Sequence, residues 1–119
     1  MLNEFGVIMT TIFERIIAGE IPSEKVFEND RIIAIKDIHP VAPVHLLIIS
    51  KKVIPSLQKA GEEDLPLIAE MMSVAQDLAI EFDIANGYRL ITNVGESAGQ
   101  TIFHLHFHLI GGRPLGRMV

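Results

Sequence analysis

The spacing of apolar residues divides the chain into a succession of short elements. Ile12, Phe13, Ile16 and Ile17 fall at helical spacing, which predicts a short amphipathic helix from Ile12 to about Gly19. Thr11 suits its N-cap, Glu14 the positive end of its dipole, and Gly19 its stop, with Pro22 breaking the chain beyond. Lys25–Glu28 and Ile32–Lys36 read as two strands joined through Asn29-Asp30, a turn pair that tolerates the left-handed region. Residues 37–43 form a loop, because Pro40 and Pro43 cannot both donate to a ladder. Val44–Ser50 is a continuous apolar run, which predicts a central strand buried on both faces, with His45 its ionisable group.

Lys51-Lys52 and Pro55 end that strand. The longest helix is expected from about Glu62 to Phe82, where Leu65, Ile68, Met71, Met72, Ala75, Leu78, Ala79 and Phe82 recur at three and four residues. Glu62, Glu63 and Asp64 favour its start, and Pro66 fits only in its first turn. Asn86-Gly87 precedes another strand, Tyr88–Asn93, and a loop of small residues from Gly95 to Gln100 follows. His104-Leu105-His106-Phe107-His108-Leu109-Ile110 then alternates polar with apolar, the mark of a half-buried strand, and Gly111-Gly112 ends it. The order predicts an α+β fold: a mainly antiparallel sheet of five strands, one long helix and one short one. So thin a layer leaves an apolar edge that a second subunit could cover.

The 119 residues suit one domain, and 49% apolar content is ample for a core. Residues 1–10 read as an N-terminal extension, with Met9 a candidate original start and no basic segment of the signal-peptide kind. A net charge of −5 without a basic block argues against binding nucleic acid through its phosphates, though a small nucleotide remains open. No apolar run reaches the ~20 residues that span a bilayer, so no membrane partner is expected. The absence of cysteine removes disulfides, CxxC zinc sites and thiol chemistry, and fits a cytoplasmic location.

Three of the five histidines lie in the alternating run, so their rings share one face about 7 Å apart at strand spacing. A solvated polar face is one reading. A metal site is a second, but the outer two positions of a regular strand lie ~13 Å apart while zinc–nitrogen bonds are ~2 Å, so all three rings do not readily meet one ion. The third is nucleophilic catalysis, in which the central imidazole attacks an electrophile such as phosphorus and its neighbours orient it and bind oxygens. Gly99-Gln100-Thr101 adds weight, since a glycine turn can offer backbone N–H groups and Thr101 a hydroxyl to an anion.

The run matches at every position the histidine-triad pattern His-φ-His-φ-His-φ-φ, with φ apolar. Gly99-Gln100-Thr101 and Gly111-Gly112-Arg113 around it resemble the Hint branch of that family, the purine-nucleoside phosphoramidases. So do Ile12-Phe13 through Gly19 to Pro22, Asp37-Ile38 through Pro40 and Ala42-Pro43 to His45, and Ser50-Lys51-Lys52. The resemblance implies one histidine-triad (HIT) domain over 11–119, a homodimer joined into a ten-stranded sheet, and no cofactor or metal. It also implies hydrolysis of adenosine or guanosine 5′-phosphoramidates to the nucleoside monophosphate and an amine, through a nucleotidyl-histidine intermediate.

Carried over by position, His106 is the nucleophile, His104 hydrogen-bonds it and fixes its tautomer, and His45 lies further along that relay. His108 contacts the α-phosphate, Thr101 stands where the family usually has serine, and Asp37 binds the ribose hydroxyls. Ile38 flanks the purine, while Asn93, Gly99 and Gln100 complete the phosphate end. Two departures stand out: Thr11 and Glu14 replace the Cys-x-x-Cys of many relatives, and the tail from Pro114 to Val119 lacks the tryptophan-containing ending of many eukaryotic ones. A dinucleoside polyphosphate hydrolase and a nucleotide-binding module with incidental hydrolysis are the competing functions.

Overall fold

A computed structural model describes residues 11–118. The expected extension over 1–10, with the candidate start at Met9, lies outside the described residues. The elements are helix α1 (Ile12–Ile17), strands β1 (Lys25–Glu28), β2 (Ile32–Lys36) and β3 (Val44–Ser50), helix α2 (Leu65–Glu81), and strands β4 (Tyr88–Ile91) and β5 (His106–Gly111). Short 3-10 turns occupy Leu57–Lys59, Glu62–Asp64 and Glu96–Ala98.

The five strands form one antiparallel sheet in the order β1-β2-β3-β5-β4. The β1–β2 hairpin closes where the Asn29 carboxamide oxygen accepts from the N–H groups of Arg31 and Ile32, each at 2.8 Å. That side-chain turn is why the pair tolerates its tight reversal. β3 sits in the middle, and every residue from His45 to Ser50 is buried, as a continuous apolar run requires.

Alternation sorts the strands into two cores. Ile32, Ala34, Leu46, Ile48, Phe107 and Leu109 face α2, which brings Met71, Val74, Ala75, Leu78 and Ala79 against them. Ile33, Ile35, Leu47 and Ile49 face the other way and are covered by Phe13 and Ile16 of α1. The histidines of β5 share this second face. A six-residue helix is too short to hold itself, and its capping compensates. The Thr11 hydroxyl accepts from the Glu14 N–H, and the Glu14 carboxylate accepts from the Thr11 N–H, both at 3.2 Å.

Three boundaries differ from the sequence reading. α2 begins at Leu65, because residues 62–64 are wound as a 3-10 turn in which Asp64 accepts from the Gly61 N–H at 2.9 Å. β4 ends at Ile91 rather than Asn93. β5 begins at His106, so His104 and Leu105 lie before it, not in it. Leu105 instead donates to the Ile54 carbonyl at 2.6 Å and accepts from the Ser50 N–H at 3.4 Å.

Candidate active site

The register of β3 against β5 decides which histidines meet. Leu47 pairs with His108 and His45 with Ile110, so His45 is the diagonal neighbour of His108 on the same face. Their nitrogens, Nε2 of His45 and Nδ1 of His108, lie 2.9 Å apart. His45 therefore joins the His108 end of the row. The expectation that it continues a relay through His104 is corrected here: by the same register His104 stands level with Lys51, about 20 Å along β3 at strand rise.

Hydrogen bonding assigns the protons. The Nδ1 of His106 lies 2.7 Å from the His104 carbonyl oxygen, which can only accept, so Nδ1 carries the hydrogen. A neutral His106 ring then keeps its lone pair on Nε2. His104 does orient His106, but through its backbone oxygen; the expected ring-to-ring bond is absent among the described residues. The His104 ring serves its own position instead. Its Nε2 donates to the Ser50 carbonyl at 2.5 Å, and its Nδ1 lies 3.5 Å from the Thr11 hydroxyl.

At the other end the Val41 N–H donates to Nδ1 of His45 at 3.2 Å. Nε2 of His45 must then carry the hydrogen, which it directs to His108 Nδ1 and, at 3.4 Å, toward the Asp37 carboxylate. His108 in turn accepts at Nδ1 and holds its hydrogen on Nε2. The row thus pairs a nitrogen with a lone pair, on His106, beside one with a hydrogen, on His108, their ring centres 5.2 Å apart.

Burial favours the uncharged form of His104, His106 and His108. Desolvation lowers the pKa of His104 and His106, only partly opposed by their carbonyl hydrogen bonds. His108 is pushed down to about 4, first by burial and then by the neighbouring His106 and His45. Phe13 adds to the dry surroundings, its ring edge-on to His106 at 4.9 Å and to His104 at 6.0 Å.

The remaining expected residues divide. Asp37 is half-buried, its Oδ1 accepting from the His39 N–H at 2.8 Å, and Ile38 beside it is 82% exposed. Asn93 is half-buried, while Gly99 and Thr101 are exposed. Gln100 departs from expectation. It is buried, its carboxamide donating to the carbonyls of Pro55 and Ile102 and accepting from the Gly95 N–H at 2.7, 3.1 and 2.9 Å. Its side chain closes the loop from inside instead of facing a nucleotide. The N–H groups of Gly99 and Gln100 are also spent, on the carbonyls of Glu96 and Gly95, so the glycine turn does not offer them to an anion. Among the described residues, the donors of this triplet that make no hydrogen bond are the N–H and hydroxyl of Thr101.

Two contributors escaped the sequence reading. Phe13 looked like any apolar helix residue. Thr92, at the end of β4, donates its hydroxyl to the His106 carbonyl at 2.7 Å and so braces the central histidine's backbone. Asp37, His45 and His108 also present one ligand atom each within 4.8 Å of one another, the donor cluster here that could hold a metal.

Comparison with known proteins agrees with this architecture. The family described as "Scavenger mRNA decapping enzyme C-term binding" matches residues 10–116. A HIT-like protein of Chlamydia pneumoniae is 57% identical over 106 residues, covering 89% of this chain and 96% of that protein. The purine nucleoside phosphoramidase of Escherichia coli K12 is 44% identical over 110 residues, 92% of each chain. A HIT family hydrolase from Clostridium thermocellum superposes with a TM-score of 0.89 at 44% identity, covering 95% of this chain and 99% of that one. With the fold, the histidine row and these relatives in agreement, the chain belongs to the histidine-triad family.

Proposed function

We propose that the protein is a hydrolase of the Hint branch that cleaves the P–N bond of purine nucleoside 5′-phosphoramidates, releasing the nucleoside monophosphate and an amine. One observation carries the reading: the His106 Nδ1–H bound to the His104 carbonyl at 2.7 Å, which leaves Nε2 as a lone-pair nitrogen in a ring kept neutral by burial. The 44% identity to a phosphoramidase supports the choice of bond.

In the first step Nε2 of His106 forms a bond to the α-phosphorus. The P–N bond breaks with its electron pair going to nitrogen, which takes up a proton from solvent and departs as the amine. The Nε2–H of His108 and the Thr101 hydroxyl stabilise charge on the phosphoryl oxygens. In the second step water adds to phosphorus, the bond to His106 breaks with its pair returning to Nε2, and the water proton leaves to solvent. The Asp37 carboxylate accepts from the ribose hydroxyls, with Ile38 against the purine and Asn93 at the phosphate end. None of these steps calls on a metal.

The active form is proposed to be a homodimer. β4 is an edge strand with one row of unpaired backbone groups, which suits continuation of the sheet into a second copy. Light scattering on the purified chain reads that mass directly.

The catalytic reading is tested by incubating the protein with an adenosine phosphoramidate, a dinucleoside polyphosphate and AMP. Release of amine and AMP from the first, with acid-labile nucleotide trapped on His106, is the expected result. Cleavage of the polyphosphate alone would replace the phosphoramidate reading, and AMP binding without turnover of either would make this a nucleotide-binding module.

A further inference from the structure

The carboxylate and two imidazoles at the far end of the row have a second capability. Donor atoms around a tetrahedral ion with bonds of ~2.0–2.1 Å stand about 3.3 Å apart. Nε2 of His45 lies 2.9 Å from His108 Nδ1 and 3.4 Å from Asp37 Oδ2, and the three ligand atoms fit within 4.8 Å. Two are imidazole nitrogens and one is a carboxylate oxygen, a set that suits zinc and its neighbours over magnesium or calcium. Its side chains are fixed as well, since His45 and Asp37 are only 6% and 18% exposed and both are anchored by the 37–41 backbone.

We propose that Asp37, His45 and His108 form a site for an exogenous divalent transition-metal ion of the zinc class, which inhibits the enzyme rather than serving it. The metal uses Nδ1 of His108, the nitrogen turned away from the proposed phosphate-facing Nε2. Filling it has a local cost. Nε2 of His45 must give up its hydrogen to bind, and within a neutral ring that hydrogen moves to Nδ1, where the Val41 N–H already points. Metal and the Val41 hydrogen bond are therefore mutually exclusive. Because the free cluster is already satisfied by hydrogen bonds, the affinity is that of an inhibitor and not of a structural ion.

Binding stands apart from the hydrolase reading; only the inhibitory consequence rests on it, since a metal-held Asp37 cannot receive the ribose. The test is titration of the full chain with Zn2+ by calorimetry, and with Co2+ by visible absorption, at neutral pH in a non-coordinating buffer. One ion per chain is expected, with loss of protection of the Val41 amide from hydrogen exchange. Asp37→Asn and His45→Gln should each weaken binding by at least about tenfold, and His39→Ala, on the exposed neighbouring ring, should leave it unchanged. Asp37→Asn keeps the side-chain shape, so its result stands even if His45→Gln fails to fold. In the hydrolase assay Zn2+ should raise KM, and a chelator should reverse this.

Three results overturn the site: no saturable binding, Co2+ absorption untouched by Asp37→Asn, or binding lost in His39→Ala. Metal bound at this cluster in a protein with no phosphoramidase activity would keep the site and remove the hydrolase reading. Turnover untouched by bound Zn2+ would remove the inhibitory role alone.

Discussion

The two faces of β5 and the residues just before it are built on opposite terms. Leu105, Phe107 and Leu109 are 1%, 7% and 0% exposed against α2, while His104 and His106 are 0% and 8% exposed against α1. The apolar face asks its neighbours for volume, which many side chains can supply. The histidine face asks for a partner in a fixed direction on one nitrogen of each ring: the Ser50 carbonyl for His104 and the His104 carbonyl for His106. One face can drift by a methyl group and survive. The other fails by a single misplaced hydrogen.

That contrast can be broken at several points. His106→Ala should reduce phosphoramidate turnover by at least on the order of 10⁴-fold while the protein stays folded, because the attacking lone pair is lost; residual rates within tenfold of the parent would end the nucleophile assignment. His108→Ala should lower kcat by ~10²–10³-fold, as the directed N–H is lost, with a smaller change in KM. On the apolar face, Leu109→Ala should cost about 2–5 kcal/mol of unfolding free energy in denaturant titration, whereas Leu109→Met should cost under about 1.5 kcal/mol. Equal losses for these two would show that the apolar face is as exacting as the polar one.

Acid sharpens the same difference. His108 titrates near pH 4 in the folded chain, and His104 and His106 are also lowered, against about 6.5 when unfolded. Between those values the unfolded chain binds more protons than the native one, so stability falls as pH drops from about 6.5 toward 4 and is full above that window. The acid limb of kcat/KM should likewise lie below the ordinary histidine value. A limb centred above 6.5 would mean that the rings are not desolvated during turnover. The smallest effect belongs to Thr92→Val, which removes one hydrogen bond to the His106 carbonyl and should cost about 1 kcal/mol.

Much of this was legible in the residues. The hairpin, the doubly buried β3 and the alternation of β5 follow from side-chain type alone, because apolar periodicity reports faces directly. The row itself was equally plain. What fastens the row was not, because the Ser50 and His104 carbonyls belong to the backbone and carry no residue signature. The attachment of His45 to His108 rather than to His104 depends on strand register, which residue 45 does not encode by itself. Gln100 shows the opposite error: a polar residue between a glycine and a threonine looks like a ligand contact, yet its three hydrogen bonds point inward. Phe13 shows how an apolar residue can serve a site by keeping it dry.

Those three bonds of Gln100 have a thermodynamic consequence. Gly95 and Gly99, at φ +86° and +92°, turn the chain in ways other residues rarely follow, and Gln100 locks the turns against Pro55 and Ile102. The segment that delivers Thr101 has therefore lost its conformational freedom during folding, before any ligand arrives. A nucleotide landing there should bind with little ordering penalty. Gln100→Ala would restore that penalty, visible in calorimetry as a less favourable binding entropy with the contacts of Thr101 otherwise retained.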